Sequence, residues 1–422
     1  MRNLAQSCSS IQQCGFGFPA FALALLYVLP VLIVAQPLQA QTLNILYSFS
    51  SSGNVGNMPF SGLVMDRAGG LYGTNNGGGE HGLGTVYRLT RAGSGWTAAG
   101  LYSFQGGADG AYPVANVTFG PDGTLYGTTI AGGEGFGIVF NLRPQPTFCK
   151  TVQCPWTETV LYRFTGGTDG GFAFGFSFAD ALVFDQAGNI YGTAPVGGTS
   201  GNGVVFKLTH TRQGWSESVL WNFTGGSDGG SPDSGVIFDS VGNLYGTADS
   251  GGASHRGVVY ELSPSPSGWT QKTLYAFDVT DGGGFPIGGV IMDAQGNLYG
   301  TTGPYGQGGE AYELTASNGN WSVSRRQLFS GRSAPFDTPI LDAQGNLYGT
   351  SSGAGRNQTG EVFKLTPSGN KWIYTRLYDF TGSKNNGDFP IGGVIFDAEG
   401  NLYGTTANGG QDQEGIVWEI TP

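Results

Sequence analysis

The feature that most constrains this chain is a four-residue string that returns seven times: Leu71-Tyr72-Gly73-Thr74, Leu125-Tyr126-Gly127-Thr128, Ile190-Tyr191-Gly192-Thr193, Leu244-Tyr245-Gly246-Thr247, Leu298-Tyr299-Gly300-Thr301, Leu347-Tyr348-Gly349-Thr350 and Leu402-Tyr403-Gly404-Thr405. From Tyr to Tyr the steps are 54, 65, 54, 54, 49 and 55 residues. That is the period of a propeller blade, a unit that buries its apolar face only against the next copy. A chain of 422 residues would otherwise be read as two or three domains, but copies sharing one ring make a single large one.

Within a copy the alternation has the two-residue period of strands, and no stretch with helical spacing and caps follows Ala40. The third copy predicts strands over Phe178 to Asp185, Asn189 to Ala194, Gly203 to Thr209 and Trp215 to Phe223. In the last of these Trp215, Val219, Trp221 and Phe223 are expected on one face, as are Trp156, Val160, Tyr162 and Phe164 one copy earlier. Asp185-Gln186-Ala187-Gly188-Asn189 and Asp293-Ala294-Gln295-Gly296-Asn297 read as tight turns: Asp bonds the backbone ahead of it and Gly takes the positive φ. The chain opens with a lone closing strand, Thr42 to Phe49, and its last copy, ending with Gly415 to Ile420, lacks one. Pairing these two segments would remove an open sheet edge. The expected fold is therefore all-β: a seven-bladed β-propeller of four-stranded antiparallel blades, its ring closed by the N-terminal strand.

The first forty residues hold no Asp or Glu, and Arg2 precedes an apolar run from Phe18 to Ala35 that leads to Leu38-Gln39-Ala40. This order spells a secretory signal over 1–40, with cleavage after Ala40. An uncleaved membrane anchor is the alternative; Pro19 and Pro30 inside the run favour cleavage. One propeller domain over 41–422 is then expected, exported to the periplasm or beyond, monomeric and without a membrane span. Loss of Arg2 leaves 18 Lys and Arg against 30 Asp and Glu, a net charge of −12. Such a surface lacks the basic stripe that a nucleic-acid partner needs. Cys8 and Cys14 depart with the signal, so Cys149 and Cys154 remain as a disulfide candidate in an oxidising compartment, with two idle thiols as the alternative. Both lie in the insertion Arg143 to Pro155, expected as a loop beneath the second blade that accounts for the 65-residue step.

The string Gly-Asn-Leu-Tyr-Gly-Thr-Thr, the Phe-Asp or Met-Asp before it, the Gly-Gly-x-Asp-Gly loop and the Val-Phe-Lys-Leu-Thr strand resemble the tandem Gloeobacter/Verrucomicrobium-type (GloVer) repeat of secreted bacterial proteins. The resemblance runs from Thr42 to Pro422. More distantly the layout is similar to NHL-type propellers. It implies export and a periplasmic or surface life, and it carries over no catalytic residue.

Chemistry-bearing residues gather in loops. Gly106-Gly107-Ala108-Asp109-Gly110, Gly166-Gly167-Thr168-Asp169-Gly170, Gly225-Gly226-Ser227-Asp228-Gly229, Asp281-Gly282-Gly283 and the looser Asn385-Asn386-Gly387-Asp388 should open on one face. There Asp109, Asp169, Asp228, Asp281 and Asp388 could hold calcium or bond sugar hydroxyls, or could simply make the turn. Calcium needs six to eight oxygens while each loop offers one carboxylate, so no bound metal or other cofactor is expected. The mixed clusters Glu80 with His81 and Arg256 with His255, and the separate His210, read as solvated loop residues. The repeated Tyr reads as an inter-blade wedge with its hydroxyl bonded locally rather than as a stacking ladder, and its neighbouring Gly as a point of close approach. The function that follows is a non-catalytic binding or scaffolding module for extracellular carbohydrate or protein. The alternative is a hydrolase or lyase acting on a polysaccharide or small lactone, for which a virginiamycin-lyase-like propeller is the nearest analogy.

Overall fold

The computed structural model describes residues 41–145, 156–172, 181–278, 283–303, 308–329 and 333–421. The expected signal over 1–40, Cys149, Cys154 and Asp281 lie outside them. Seven four-stranded antiparallel sheets are formed. Six run in chain order over 64–103, 118–163, 183–222, 237–276, 290–328 and 340–379; the seventh combines 395–421 with the N-terminal strand. The fourth blade shows the pattern: a two-residue inner strand Ile237–Phe238, then Leu244–Ala248, Val258–Ser265 and the outer strand Gly268–Ala276. The only helical element among the described residues is the single turn Gly107–Asp109. In the seventh sheet Thr42–Ser48 pairs antiparallel with Ile416–Thr421, Thr42 opposite Thr421 and Ser48 opposite Ile416.

Each position of the repeated string has its own task. The second strands that carry it are buried throughout. Leu or Ile enters the core. The Tyr wedges into the next blade, as in the edge-on contacts of Tyr72 with Phe119 at 5.2 Å and Tyr191 with Phe238 at 5.0 Å. Its hydroxyl donates back to the turn Asp of its own blade in every copy, at 2.9 Å for Tyr72 to Asp66 and for Tyr403 to Asp397 and at 3.0 Å for Tyr191, Tyr299 and Tyr348. The Gly lies under an aromatic ring opposite it on the third strand: Gly73 under Tyr87, Gly192 under Phe206, Gly404 under Trp418. A Cβ at Gly246 would stand 2.5 Å from the Tyr260 hydroxyl oxygen, so no larger residue fits. The Thr donates to a backbone carbonyl of the following blade, as Thr74 to Ala115 at 3.1 Å, Thr247 to Gly288 at 3.0 Å and Thr350 to Gly392 at 3.0 Å. Thr405 continues the series by donating to Ser61 at 2.7 Å, from the last blade to the first.

The turn Asp is the second anchor. Asp293 accepts from the backbone N–H groups of Gln295 and Asn297, from the Asn297 amide and from Tyr299. Burial pushes this carboxyl up, but the bonds outweigh it and hold it below the usual carboxylate range. The same holds at Asp66, Asp122, Asp185, Asp239, Asp342 and Asp397.

Two expectations need correction. The outer-strand aromatics do not share a face, because a β-bulge at Leu220 shifts the register: Phe206 pairs with Val219 but Val205 with Trp221. Trp215 and Val219 therefore pack on the interface with the preceding blade, and Trp221 and Phe223 on that with the following one. Every outer strand carries this shift, so each serves both neighbours. Seven apolar clusters result, each spanning two adjacent blades; Tyr403 and Val417 of the last meet Leu71 and Tyr87 of the first.

The second correction concerns the 65-residue step, whose excess is divided between two places. Leu142 pairs with Glu158, sixteen positions on, where Leu262 pairs with Gln271, nine on. The remainder lies in the crossover into the third blade: Phe164 to Leu182 spans eighteen positions, against thirteen from Phe223 to Val236. A one-residue shorter loop in the second blade offsets part of both.

Candidate functional site

The crossover into each blade and the loop between its second and third strands are bridged to one another, as at Ala111 with Ala131 and Gly230 with Ser250, so both open on one face. On that face the Gly-Gly-x-Asp-Gly loops share one geometry. The Asp228 carboxylate accepts from the Thr224 N–H at 3.0 Å, from the Thr224 hydroxyl and from the Trp221 indole at 3.3 Å. Asp169 accepts from the Thr165 N–H at 2.9 Å, the Thr165 hydroxyl and Tyr162 at 3.1 Å. Asp109 accepts from the Gln105 N–H at 2.7 Å and Tyr102 at 2.5 Å. Each carboxylate thus ties its loop to the aromatic that ends the outer strand. Asp388 differs: it lies in a short ladder opposite Asn408, and burial raises its pKa, partly offset by the bond from the Phe389 N–H. In that loop, one residue longer, Asn386 meets the outer-strand Tyr378 at 2.5 Å instead.

The histidines are dispersed and exposed. His81 and Glu80 border a hollow of about 520 Å³ with Tyr102 and Trp156. His255 sits at a positive φ of 55°, with the Arg256 guanidinium 6.0 Å from the Phe285 ring. His210 meets Trp215 edge-on at 5.1 Å, its cross-strand partner where the third and fourth strands approach their turn.

Polar residues that break the repeat were not singled out by sequence reasoning. In the fourth blade Asp233 is buried, in a position taken by Phe60, Val114, Ile287, Phe336 and Ile391 in other blades. It bonds Asp249, whose carboxyl burial pushes up. In the fifth and sixth blades the third strand opens with Glu310 and Glu361, both buried, where others have Thr85, Ile138, Val204, Val258 and Ile416. Each pairs with an Arg of the outer strand, Glu310 with Arg326 at 3.1 Å and Glu361 with Arg376 at 2.6 Å. Glu361 also accepts from Tyr374 at 2.5 Å. The signal available in the sequence was an acidic residue at an apolar position of an otherwise regular repeat.

What fold and face together define is a seven-bladed β-propeller assembled from tandem copies, with a uniform body and individual loops. The chain belongs to the Gloeobacter/Verrucomicrobia repeat family, whose model matches residues 33–175, 155–326 and 301–422. No curated protein matches. Among solved structures it is similar to a chain of the mitotic checkpoint complex, at 10% identity over 97% of this chain and 99% of that one with a TM-score of 0.50. It is also similar to a Bacteroides uniformis protein described as a 6-phosphogluconolactonase, at 16% identity over 75% and 84% with a TM-score of 0.49. A Thermus thermophilus protein described as a glucose dehydrogenase-type oxidoreductase aligns at 15% identity over 90% and 100%, with a TM-score of 0.45. At these identities the likeness is one of fold. Among the described residues no helix is long and apolar enough to cross a membrane.

Proposed function

We propose that this is an exported, non-catalytic binding or scaffolding propeller whose loop-bearing face engages extracellular carbohydrate or protein. The observation that carries the reading is the contrast between near-identical blades and crossovers that differ in length and side chains from one blade to the next. A rigid scaffold presenting individual loops is how recognition surfaces are built. The signal read over 1–40 supports export. Asp109, Asp169 and Asp228 are proposed as contributors through the loops they shape, and Asp281 and Asp388 as further binding residues, with no metal requirement. Binding of the exported protein to arrayed glycans and peptides tests this: Asp169→Asn and Asp228→Asn should each weaken binding partially. One substitution that abolishes an activity while leaving binding intact would overturn it.

A second reading has one observation in its favour. Asp249 and Asp233 form a carboxyl pair in which burial favours a proton on Asp249, the arrangement a general acid and base require. Under a hydrolase or lyase reading, Asp233→Asn would abolish turnover of an extracellular polysaccharide or lactone in a broad activity screen.

A further inference from the structure

The 49-residue step between Tyr299 and Tyr348 reports a deletion at a particular place. Between Phe329 and Pro335, the crossover from the fifth to the sixth blade, stand five residues; the equivalent Phe223 and Pro232 are separated by eight. The other two missing residues come from the loop between Thr302 and Glu310.

In the fourth blade the full-length crossover is held down by the outer strand beneath it. Thr273 donates to the Ser227 carbonyl at 2.9 Å and Gln271 to the Asp228 carbonyl at 3.1 Å. In the second blade Arg163 does the same for Ala108 at 3.2 Å. Register makes Arg376 and Tyr374 the counterparts of Thr273 and Gln271: Phe363 pairs with Arg376 and Leu365 with Tyr374, as Tyr260 pairs with Thr273 and Leu262 with Gln271. These two residues turn instead to the buried Glu361. A hollow of about 600 Å³ lies above them, bordered also by Gln327, Leu328 and Gln358.

The hollow has the size of a small-ligand site and a definite chemistry. Its charges cancel: Arg376 Nε reaches Glu361 at 2.6 Å and Asp379 at 3.2 Å, and Arg356 reaches Asp379 at 3.5 Å. An ionic ligand would find no excess of either sign. Arg376, whose side chain is 38% exposed, uses Nε for its contact with Glu361 and borders the hollow. Two amide side chains add donors and acceptors. Leu328, 52% exposed, offers an apolar flank. Burying a Glu–Arg pair contributes little to stability by itself, and rule-breaking polar residues concentrate at functional positions.

We propose that the gap left by the shortened crossover is a binding pocket for a neutral saccharide unit, its hydroxyls bonded by Arg376, Gln358 and Gln327 and its C–H face resting on Leu328. This rests on the binding reading above and gives it a ligand class and a place. A peptide strand would call for a free sheet edge or a groove, whereas Phe329 and residues 353–355 wall this hollow in.

The test uses the protein lacking residues 1–40 on arrayed neutral gluco-, xylo-, manno- and N-acetylglucosamine oligosaccharides, with arrayed peptides alongside. Two variants address the pocket: Arg376→Met, and a graft placing residues 224–231 between Phe329 and Pro335 to refill the gap. Circular dichroism and melting curves establish that both are folded. The expected result is binding to at least one oligosaccharide that falls about ten-fold or more in each variant, while Gly95→Ala, in the first blade with open space around it, leaves it near wild type. Undiminished saccharide binding by the graft would overturn the pocket and leave the binding reading standing, as would binding of peptides alone. Failure of the wild type to bind either class would overturn both.

Discussion

Replacing Phe49 by Ala tests whether the strand supplied by the N-terminus is an equal member of the last blade. Phe49 is fully buried, with Tyr47 and Tyr87 edge-on at 5.1 and 5.0 Å, and its N–H donates to the Gly415 carbonyl at 2.9 Å. Phe223 occupies the same place in the third blade: fully buried, 5.1 Å from Tyr260, its N–H donating to Gly203 at 3.0 Å. Truncating a buried Phe to Ala removes apolar burial and leaves a cavity, together about 3–5 kcal/mol. For a cooperative unit of about 380 residues, an unfolding entropy of roughly 2.1 cal/mol/K per residue turns that loss into a fall of about 4–6 °C in Tm. Scanning calorimetry of Phe49→Ala and Phe223→Ala should give equal falls within this range. A fall below about 1 °C for Phe49→Ala beside a full fall for Phe223→Ala would refute the reasoning. Deleting residues 42–49 should go further, baring the edge of Ile416–Thr421 and promoting aggregation visible by light scattering.

Other predictions follow from the same geometry. The Tyr260 hydroxyl is buried without a partner among the described residues, and the equivalent position holds Phe in three other blades; Tyr260→Phe should therefore raise stability by about 1 kcal/mol in denaturant titration. Gly246→Ala, which drives a methyl into that ring, should lower stability by about 1–3 kcal/mol, whereas Gly95→Ala, with open space around it, should not. Burial, with the Asp109 carboxylate second, pushes Glu158 up to about 8, and burial with Asp169 pushes Glu217 up to about 7. Both are protonated more readily folded than unfolded, so the stability they contribute is fully present below the ordinary value of 4.5 and is lost as pH rises through 7 to 8. Glu158→Gln and Glu217→Gln should accordingly raise Tm relative to wild type at about pH 8.5 and leave it unchanged at about pH 4; the reverse pattern would show that the carboxylates are stabilised by partners.

How much of this was legible depended on whether the interaction is local or joins distant segments. The turn Asp, the turn Gly and the strand that follows are neighbours, so their chemistry stands in the sequence as a unit. That the Tyr would wedge between blades with a locally bonded hydroxyl also followed from its position. Its partner, the turn Asp six residues back in most copies, did not stand out, because Asp already had a task in the turn. The Thr latch was invisible, since it reaches a carbonyl some forty residues away. Nor did the bulge at Leu220 leave a mark: alternation appears unbroken across it, and only pairing with Val205 and Phe206 shows that the face has changed.

The repeat by itself determined the blade count, the strand order within a blade and the antiparallel pairing, because period and alternation are properties of one copy read along the chain. Only the tertiary structure decided which polar departures meet. The missing residues of the 49-residue step could be counted from the sequence, yet that Arg376 and Tyr374 line a hollow together with a buried Glu361 and with Gln327 and Leu328 of the preceding blade depends on the register between strands and on how the blades pack. Local chemistry repeats with the chain, whereas a site is made where segments far apart in sequence come within hydrogen-bonding distance.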